Sequence, residues 1–382
     1  MNKIYLSLII ALLFFDFEIC LCQNPKLIVA PQIKLPHDSL TKVCLLKSLD
    51  LFLNEKNHDM SNSLVVDNQH YQQYKDFFDI FINAENSKRY NDTAFFKCHL
   101  TNIILQPDSS YRVSLSYFGI SPNKEIINRL STTFIAKKGY NFFKFYCPFE
   151  ENTRYWQSKK IGNIEFFYEH DFNPMIAKDF EKYNSMLAKK LKVKPLKFKY
   201  YKCHDIQELY RLMGIDYDVD QNGNIRSGSF DTKNMIFLSG TNSDQYKHDL
   251  THTYMGLMFA DSLRNWTAEE GYNIYTTDYW GESNRQVFQY LTNYAKENPD
   301  ISLLEVFEKN KILKYPIAIR YPIAAVIMRK VEKEYGFEKV LQLISCGEAE
   351  DGFLPKLKEI TGISKEIFDK VVRDEIFKYS RQ

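Results

Sequence analysis

Glycine and proline are scarce in this chain, at 14 and 12 of 382 residues. With 45% hydrophobic and 26% charged residues, the composition is that of a globular protein and argues against long disordered linkers. The length is sufficient for two domains, each with a core of its own. The sequence therefore predicts a folded protein of more than one domain.

An excess of charge of one sign is also lacking. The 50 basic and 48 acidic residues leave a formal net charge of +2, and no arginine-rich or lysine-rich arm is present. Proteins that bind nucleic acid carry a basic patch or stripe. We therefore expect no nucleic-acid partner.

Long hydrophobic runs are absent beyond the N-terminus. There, Lys3 precedes the apolar residues 4–15, a run too short to span a bilayer as a helix. This pattern is typical of a signal peptide over residues 1–22; the alternatives are a membrane anchor and a lipid anchor at Cys20 or Cys22. We expect an exported protein, periplasmic or secreted, with no membrane span in its mature part.

Closely spaced cysteines are missing as well. Five cysteines follow residue 22 without a C-x-x-C pair, which argues against a cysteine zinc site. In an exported protein one disulfide can form, but the spacing selects no pair, and buried free thiols fit the pattern equally well. The five are Cys44, Cys98, Cys147, Cys203 and Cys346.

The hydrophobic periodicity divides the chain into regions. Two helix-period segments at 40–51 and 68–84 precede segments of alternating, aromatic-rich sequence. The alternating segments are 94–105, 111–118, 130–136 and 141–146. Helices followed by antiparallel strands predict a small α+β domain over 23–157, which resembles a nuclear-transport-factor-like cone in topology alone.

A second region follows this domain. Strand and helix patterns alternate over 158–281, and from Glu282 to the end the pattern is helical throughout. We therefore predict an α+β fold: the N-terminal domain, a domain over 158–281 that carries the motif described next, and a helical C-terminal subdomain over 282–382.

Two histidines four positions apart, His248 and His252, begin the most informative stretch. At this spacing both lie on one face of a helix, and Glu270 follows 18 positions later in a second helix-like segment. Two imidazoles and a carboxylate, with a fourth position open, are the ligand set of a catalytic zinc ion. Glu269 is the alternative third ligand; if Glu270 is the ligand, Glu269 either supports the site from behind or faces solvent.

Residues 158–382 resemble the gluzincin-like peptidases, also called peptidase MA-like. The matching residues are His248, His252, the run Glu270-Gly271-x-x-x-Tyr275 and, just upstream of it, Trp266. The resemblance implies a zincin-like fold with one Zn²⁺ held by the two histidines and Glu270. It also implies an aromatic hydroxyl or a histidine that stabilises the oxyanion; Tyr275 is the candidate, and Tyr279 and Tyr321 are alternatives.

The sequence departs from the family at one position. The motif for this chemistry is H-E-x-x-H, in which the Glu is the general base, and here Asp249 stands in its place. Asp is shorter by one C–C bond, about 1.5 Å. Three outcomes are open: Asp249 is the base, a bridging water relays the proton, or the site binds metal without catalysis.

A second motif suggests calcium. Asp218, Asp220 and Asn222, followed by Gly223, match the start of a calcium loop, but Ser229 stands where the closing Glu belongs. Asp and Asn also form ordinary turns. Both a calcium site and a plain turn are therefore open.

These features together predict an exported zinc-dependent hydrolase, a metallopeptidase whose substrates are peptides or proteins. The alternative is a catalytically inactive, gluzincin-like protein that acts as an extracytoplasmic binding module. The two hypotheses differ in whether Asp249 can act as the general base.

Overall fold

The computed structural model describes residues 26–221, 223, 228–279, 281–347 and 352–379. The predicted signal peptide, residues 1–22, lies outside the described residues, as does Asn222 of the predicted calcium loop. The fold is α+β, as predicted, with two larger sheets and a helical C-terminal part.

The described residues divide into two compact units. The first contains residues 26–156 and a segment that begins at Cys203, and the second contains Gln157–Lys202 and the chain from Gly228 onward. The chain thus leaves the first unit, builds part of the second and returns. The order of strands and helices in the sequence does not signal this return.

The first unit contains a six-stranded sheet. Its strands are β1 (Leu27–Val29), β2 (Lys97–Leu105), β3 (Tyr111–Ile120), β4 (Ile126–Lys138), β5 (Phe143–Tyr146) and β9 (Ile215–Asp218). The order is β1-β2-β3-β4-β5, with β9 also paired to β4, and only β1 and β2 run parallel. With 13 residues, β4 is long enough to pair with β9 and β5 along different stretches of one edge.

The helices of the first unit are α1 (Ser39–Glu55), α2 (Asn68–Gln73), α3 (Lys75–Asp79), α4 (Phe149–Thr153) and α6 (Ile206–Leu212). The ring of Phe52 on α1 lies 5.5 Å from that of Phe134 on β4, so the helix packs on the sheet. The helix expected over 68–84 is interrupted at Tyr74, whose φ of −121° and ψ of 38° are not helical.

The second unit contains a five-stranded sheet. Its strands are β6 (Gln157–Ile161), β7 (Ile164–Tyr168), β8 (Phe198–Lys202), β10 (Gly228–Asp231) and β11 (Ile236–Ser239). The order is β10-β11-β8-β7-β6, in which β11, β8 and β7 run parallel and the two edge strands antiparallel. The edge strand β10 therefore has one side without a strand partner among the described residues.

Helices make up most of the rest of the second unit. They are α5 (Pro174–Leu191), α7 (Lys247–Met258), α8 (Trp266–Thr276), α9 (Asn284–Glu297), α10 (Leu303–Lys309), α11 (Arg320–Tyr335), α12 (Phe337–Ile344), α13 (Phe353–Thr361) and α14 (Lys365–Tyr379). One apolar core joins them to the sheet. Gly271 on α8 allows a close approach to α11, because a Cβ at this position would lie 2.6 Å from Cβ of Ala324.

The expectation that everything after Glu282 is helical is wrong at one place. A short hairpin, β12 (Ile312–Lys314) and β13 (Ile317–Ala318), lies between α10 and α11. Its turn contains Pro316, which lacks an N–H and disfavours helix at the residue before it.

The five described cysteines are free thiols, so the structure contains no disulfide among them. Three of them, Cys98, Cys147 and Cys203, are buried, and burial raises the pKa of the Cys98 thiol to about 12. No helix within the described residues has both the length and the apolar composition needed to cross a bilayer.

Candidate metal centre

Helix α7 places His248 and His252 one turn apart on the same face. The opposite face carries the buried side chains of Leu250 and Tyr254. The Tyr254 hydroxyl donates to Oδ1 of Asn184 on α5 at 2.6 Å, which fixes the helix to its neighbour. Because these contacts set the rotation of α7, both imidazoles point in one direction.

Helix α8 supplies the carboxylates. Asn265 caps its N-terminus by accepting a hydrogen bond from the Ala268 amide at 3.1 Å, as expected for an Asn at this position. Glu269 and Glu270 follow within the first two turns and are only 0% and 4% exposed. A buried carboxylate requires a charged or hydrogen-bonded partner, and the two glutamates find different ones.

Glu270 faces the two histidines. Its Oε1 lies 3.3 Å from Nε2 of His252 and its Oε2 lies 3.5 Å from Nε2 of His248, while the two Nε2 atoms are 3.0 Å apart. Ligands about 2.0–2.1 Å from a tetrahedral zinc ion lie about 3.3–3.4 Å from one another. The three predicted ligands are therefore brought together at distances close to those of a coordination sphere, and the group can hold a metal ion.

Two buried polar atoms of this group lack hydrogen-bond partners: Nδ1 of His248 and Oε2 of Glu270. Buried polar groups are nearly always satisfied. A cation between the ligands would satisfy the carboxylate oxygen, so the donor set fits a metal. The identity of the metal does not follow from these contacts.

Glu269 lies behind His252. Its Oε1 is 2.5 Å from Nδ1 of His252, on the far side of the ring from the ligand atoms, and its carboxylate also accepts hydrogen bonds from Nε and Nη2 of Arg264 at 2.9 and 2.5 Å. Metal-ligating histidines usually donate their second N–H to such a carboxylate, which fixes the tautomer and the ring orientation. The sequence left two roles for Glu269 if Glu270 is the ligand: supporting a histidine from behind or facing solvent. In the structure Glu269 is buried and contacts His252 from behind.

The ring of His252 is held by a second contact. The indole of Trp266 stacks on it with centroids 4.8 Å apart and an interplanar angle of 6°. Trp266 itself is half exposed, so it separates the imidazole from solvent on that side. The family pattern contains this aromatic, but the sequence does not indicate that it stacks on a ligand.

The charges of the site are strongly coupled. Burial on its own would lower the pKa of His252, but its hydrogen bonds to Glu269 and Glu270 raise it to about 9. Burial on its own would raise the pKa of Glu270, but its contacts with His248 and His252 lower it to about 2. Without a metal, the site is therefore a buried cluster of opposite charges.

Asp249 is not part of the ligand group among the described residues. It lies next to β10, where a Cβ on Gly228 would be 3.0 Å from Oδ2 of Asp249 and 2.4 Å from the ring of Tyr246. Burial raises the pKa of Asp249, and the neighbouring histidines oppose the rise. Gly228 therefore allows β10 to pass close to the first turn of α7.

The three tyrosine candidates occupy different places. Tyr275 lies five positions after Glu270, about 140° away around α8, and its ring is 6.2 Å from that of Tyr272. Tyr321 packs at the edge of the apolar core. Tyr279 lies nearest the site by these contacts, with its ring 5.4 Å from that of His248.

The two described residues of the predicted calcium loop bond within the protein. Asp218 accepts a hydrogen bond from the Asp220 amide at 3.0 Å, the bond of an Asx turn. Asp220 pairs with Arg129 at 2.9 Å. These contacts are those of a turn; the third residue, Asn222, lies outside the described residues.

Sequence reasoning missed two residues of the site, Arg264 and Asn273. Asn273 is fully buried on α8, with Nδ2 3.1 Å from Nε2 of His252. Its position three residues after Glu270, on the same helix face, is the one local signal that could have indicated it. Arg264 lies in the loop before α8, and no periodic pattern covers a loop.

Comparison of the chain with models of known families, with curated proteins and with solved structures found no match.

Proposed function

We propose that this protein is a zinc-dependent hydrolase of the gluzincin type that cleaves peptide bonds. The observation that carries the proposal is the convergence of Nε2 of His248, Nε2 of His252 and the Glu270 carboxylate, at 3.0–3.5 Å from one another. Two histidines and a glutamate are the ligand set of zinc peptidases, and imidazole ligands favour zinc over calcium or magnesium.

The residues of the site have separate roles in holding the metal. His248 and His252 would hold the metal as neutral imidazoles, and Glu269 with Arg264 keeps His252 in the orientation that points Nε2 towards the metal position. When bound, zinc lowers the pKa of a coordinated water to about 7 and polarises a carbonyl group. Glu270 supplies the negative charge that offsets part of the charge of the ion.

Asp249 is our candidate for the general base, and Tyr279, from its contact with His248, joins Tyr275 as a candidate donor to the oxyanion. A base must reach the proton that it removes within about 2.6–3.2 Å, directly or through one water. Asp249 has the position of the usual glutamate but a shorter side chain, so a relaying water is the alternative. We expect Asp249→Asn to abolish peptide hydrolysis and Asp249→Glu to retain or increase it.

The second candidate function is a metal-binding protein without catalysis. The observation that favours it is Asp249, because a misplacement of about 1 Å can cost on the order of 100-fold in rate. Equal cleavage of a peptide library by the wild type and by Asp249→Asn would reject the role of Asp249. Cleavage that a chelator abolishes and zinc restores would reject the second candidate.

The decisive experiment is the metal content of the purified protein, measured by plasma mass spectrometry beside His252→Ala. We expect about one zinc per chain in the wild type and none in the variant. The control is His204→Ala, since His204 is exposed and outside the ligand group. Wild-type protein that is folded and binds no metal after zinc is offered would overturn the proposal.

We further propose that the protein acts outside the cytoplasm, on the basis of the predicted signal peptide. N-terminal sequencing of protein from the native host should then begin near Gln23. A mature protein that begins at Met1 would contradict export by this route.

A further inference from the structure

The side chain of Asn273 is buried in the metal centre without satisfying its own hydrogen bonds. The residue is 0% exposed, its Nδ2 lies 3.1 Å from Nε2 of His252, and its Oδ1 is buried with no partner. A buried amide with an unpaired oxygen costs free energy unless another group supplies the missing interaction.

The contacts around His252 show what is missing. Because Nδ1 faces the Glu269 carboxylate, it carries a hydrogen, and in the neutral form of the ring that binds a metal only Nε2 presents a lone pair. Three polar atoms approach Nε2 of His252: Nε2 of His248 at 3.0 Å, Nδ2 of Asn273 at 3.1 Å and Oε1 of Glu270 at 3.3 Å. Side chains of three residues thus converge on one ring nitrogen, as they would around the place of a cation.

A cation at this place determines which atom of the amide faces it. The N–H groups of an amide repel a cation, whereas its oxygen is a ligand for divalent ions. A half-turn of the amide group exchanges the nitrogen and oxygen and leaves the shape of the side chain unchanged. With a metal bound, this half-turn would bring Oδ1 of Asn273 to face the site.

We propose that Asn273 is a fourth protein ligand of this metal centre, through Oδ1. Helix α7 then contributes His248 and His252, and α8 contributes Glu270 and Asn273, which lie three positions apart on one face. The inference rests on the metal site of the proposed function but not on its hydrolytic activity. Zinc in hydrolases can expand to five ligands, so a fourth protein ligand is compatible with either candidate function.

The experiment compares the wild type with Asn273→Ala and Asn273→Asp in the full protein. Zn²⁺ affinity is measured by competition with a chromophoric chelator, and the visible absorption of the Co²⁺-loaded protein reports the coordination, with and without azide. We expect Asn273→Ala to lower the Zn²⁺ affinity by more than about 100-fold, which is the most that removal of an outer hydrogen-bond partner usually costs. We also expect its Co²⁺ spectrum to differ from that of the wild type and to change when azide is added. Asn273→Asp, which keeps an oxygen and adds charge, should bind more tightly than the wild type.

The control is Asn284→Ala, which removes an amide that bonds the Tyr275 carbonyl at 3.2 Å in the same unit; its affinity and spectrum should equal those of the wild type. An unchanged Co²⁺ spectrum in Asn273→Ala would overturn the proposal, whatever the affinity, because the residue would then act outside the coordination sphere. If Asn273→Ala fails to fold, an affinity of Asn273→Asp no higher than that of the wild type overturns it.

Wild-type protein that binds no metal would overturn both this proposal and the proposed function. Wild-type protein that binds metal but cleaves no peptide would overturn the proposed hydrolase alone. The two failures are thus distinguishable in the same set of samples.

Discussion

The carboxylate of Glu269 lies 2.5 Å from Nδ1 of His252 and is itself held by two hydrogen bonds from Arg264. Glu269 is 0% exposed, so this chain of contacts is shielded from water. It connects a loop, α8 and α7, and it sets which nitrogen of His252 is free. The orientation of His252, a proposed metal ligand, is therefore fixed by a residue that does not face the proposed metal position.

Glu269→Gln should weaken metal binding by about 10–100-fold, because the neutral amide no longer fixes the ring and the tautomer of His252. Chelator competition with Zn²⁺ measures the change. The control is Asp261→Asn, which alters the other, exposed carboxylate that Arg264 contacts and should leave the affinity unchanged. Equal affinities for Glu269→Gln and the wild type would show that the contact does not tune the site.

Gly271→Ala should destabilise the second unit by about 1–3 kcal/mol, the usual cost of overpacking. The added Cβ would lie 2.6 Å from Cβ of Ala324 and 2.8 Å from its backbone carbon, so α8 must shift, and Glu270 with it. Urea unfolding measures the loss, and we also expect weaker metal binding.

The matched change for Gly271 is Gly256→Ala on α7, where the new Cβ would meet the end of the Arg264 side chain at 3.2 Å. Gly256 is exposed, and Ala is favoured over Gly in a helix by about 1 kcal/mol. We therefore expect little change or a small gain. Equal losses in the two variants would mean that the contact between α8 and α11 is not responsible.

Lys56→Met should destabilise the first unit by about 1–3 kcal/mol, the cost of leaving a buried polar group unsatisfied, because Glu85, the charge that remains, is 25% exposed. The fully buried ammonium of Lys56 donates to Glu85 at 2.7 Å, to the Phe81 carbonyl at 2.6 Å and to Oδ1 of Asn57 at 3.0 Å. All three acceptors lose the hydrogen bond from the ammonium in the variant. Lys75→Met, which removes a half-exposed partner of Asp79, is the control and should leave the urea midpoint nearly unchanged.

His70 should make the stability of the first unit depend on pH. Burial lowers the pKa of His70 to about 4, below the value near 6.5 of an unfolded histidine, and its Nε2 accepts a hydrogen bond from the Cys147 amide at 2.7 Å. Between these values the unfolded chain binds more protons. The free energy of unfolding therefore falls as pH drops from about 6.5 towards 4.

Urea unfolding at several pH values between 5 and 7.5 measures this dependence. His70→Gln, whose amide oxygen can still accept from Cys147, should show a smaller decrease than the wild type over the same range. Carboxylates titrate in both proteins, so the difference between the two curves isolates the histidine. Superimposable curves would exclude His70 as a source of the pH dependence.

The sequence by itself determined the features that depend on local periodicity. The four-residue spacing of His248 and His252 is enough to place them on one helix face, whereas the sequence favoured Glu270 as the third ligand and left Glu269 open as the alternative. The same periodicity predicted the α+β class, because a window of about ten residues is long enough to distinguish the hydrophobic period of a strand from that of a helix. It failed at β12 and β13, where one proline ends a pattern that otherwise resembles a helix.

Only the tertiary structure decided how the helices face each other. That Glu269 turns to the back of His252, that Arg264 reaches it from a loop and that Asn273 enters the site depend on the packing of α8 against α7 and α11. The proximity of Tyr279 to His248 has the same origin. These contacts join segments whose relative position is set by the core, and hydrophobic periodicity identifies a buried face without specifying which polar groups meet beside it.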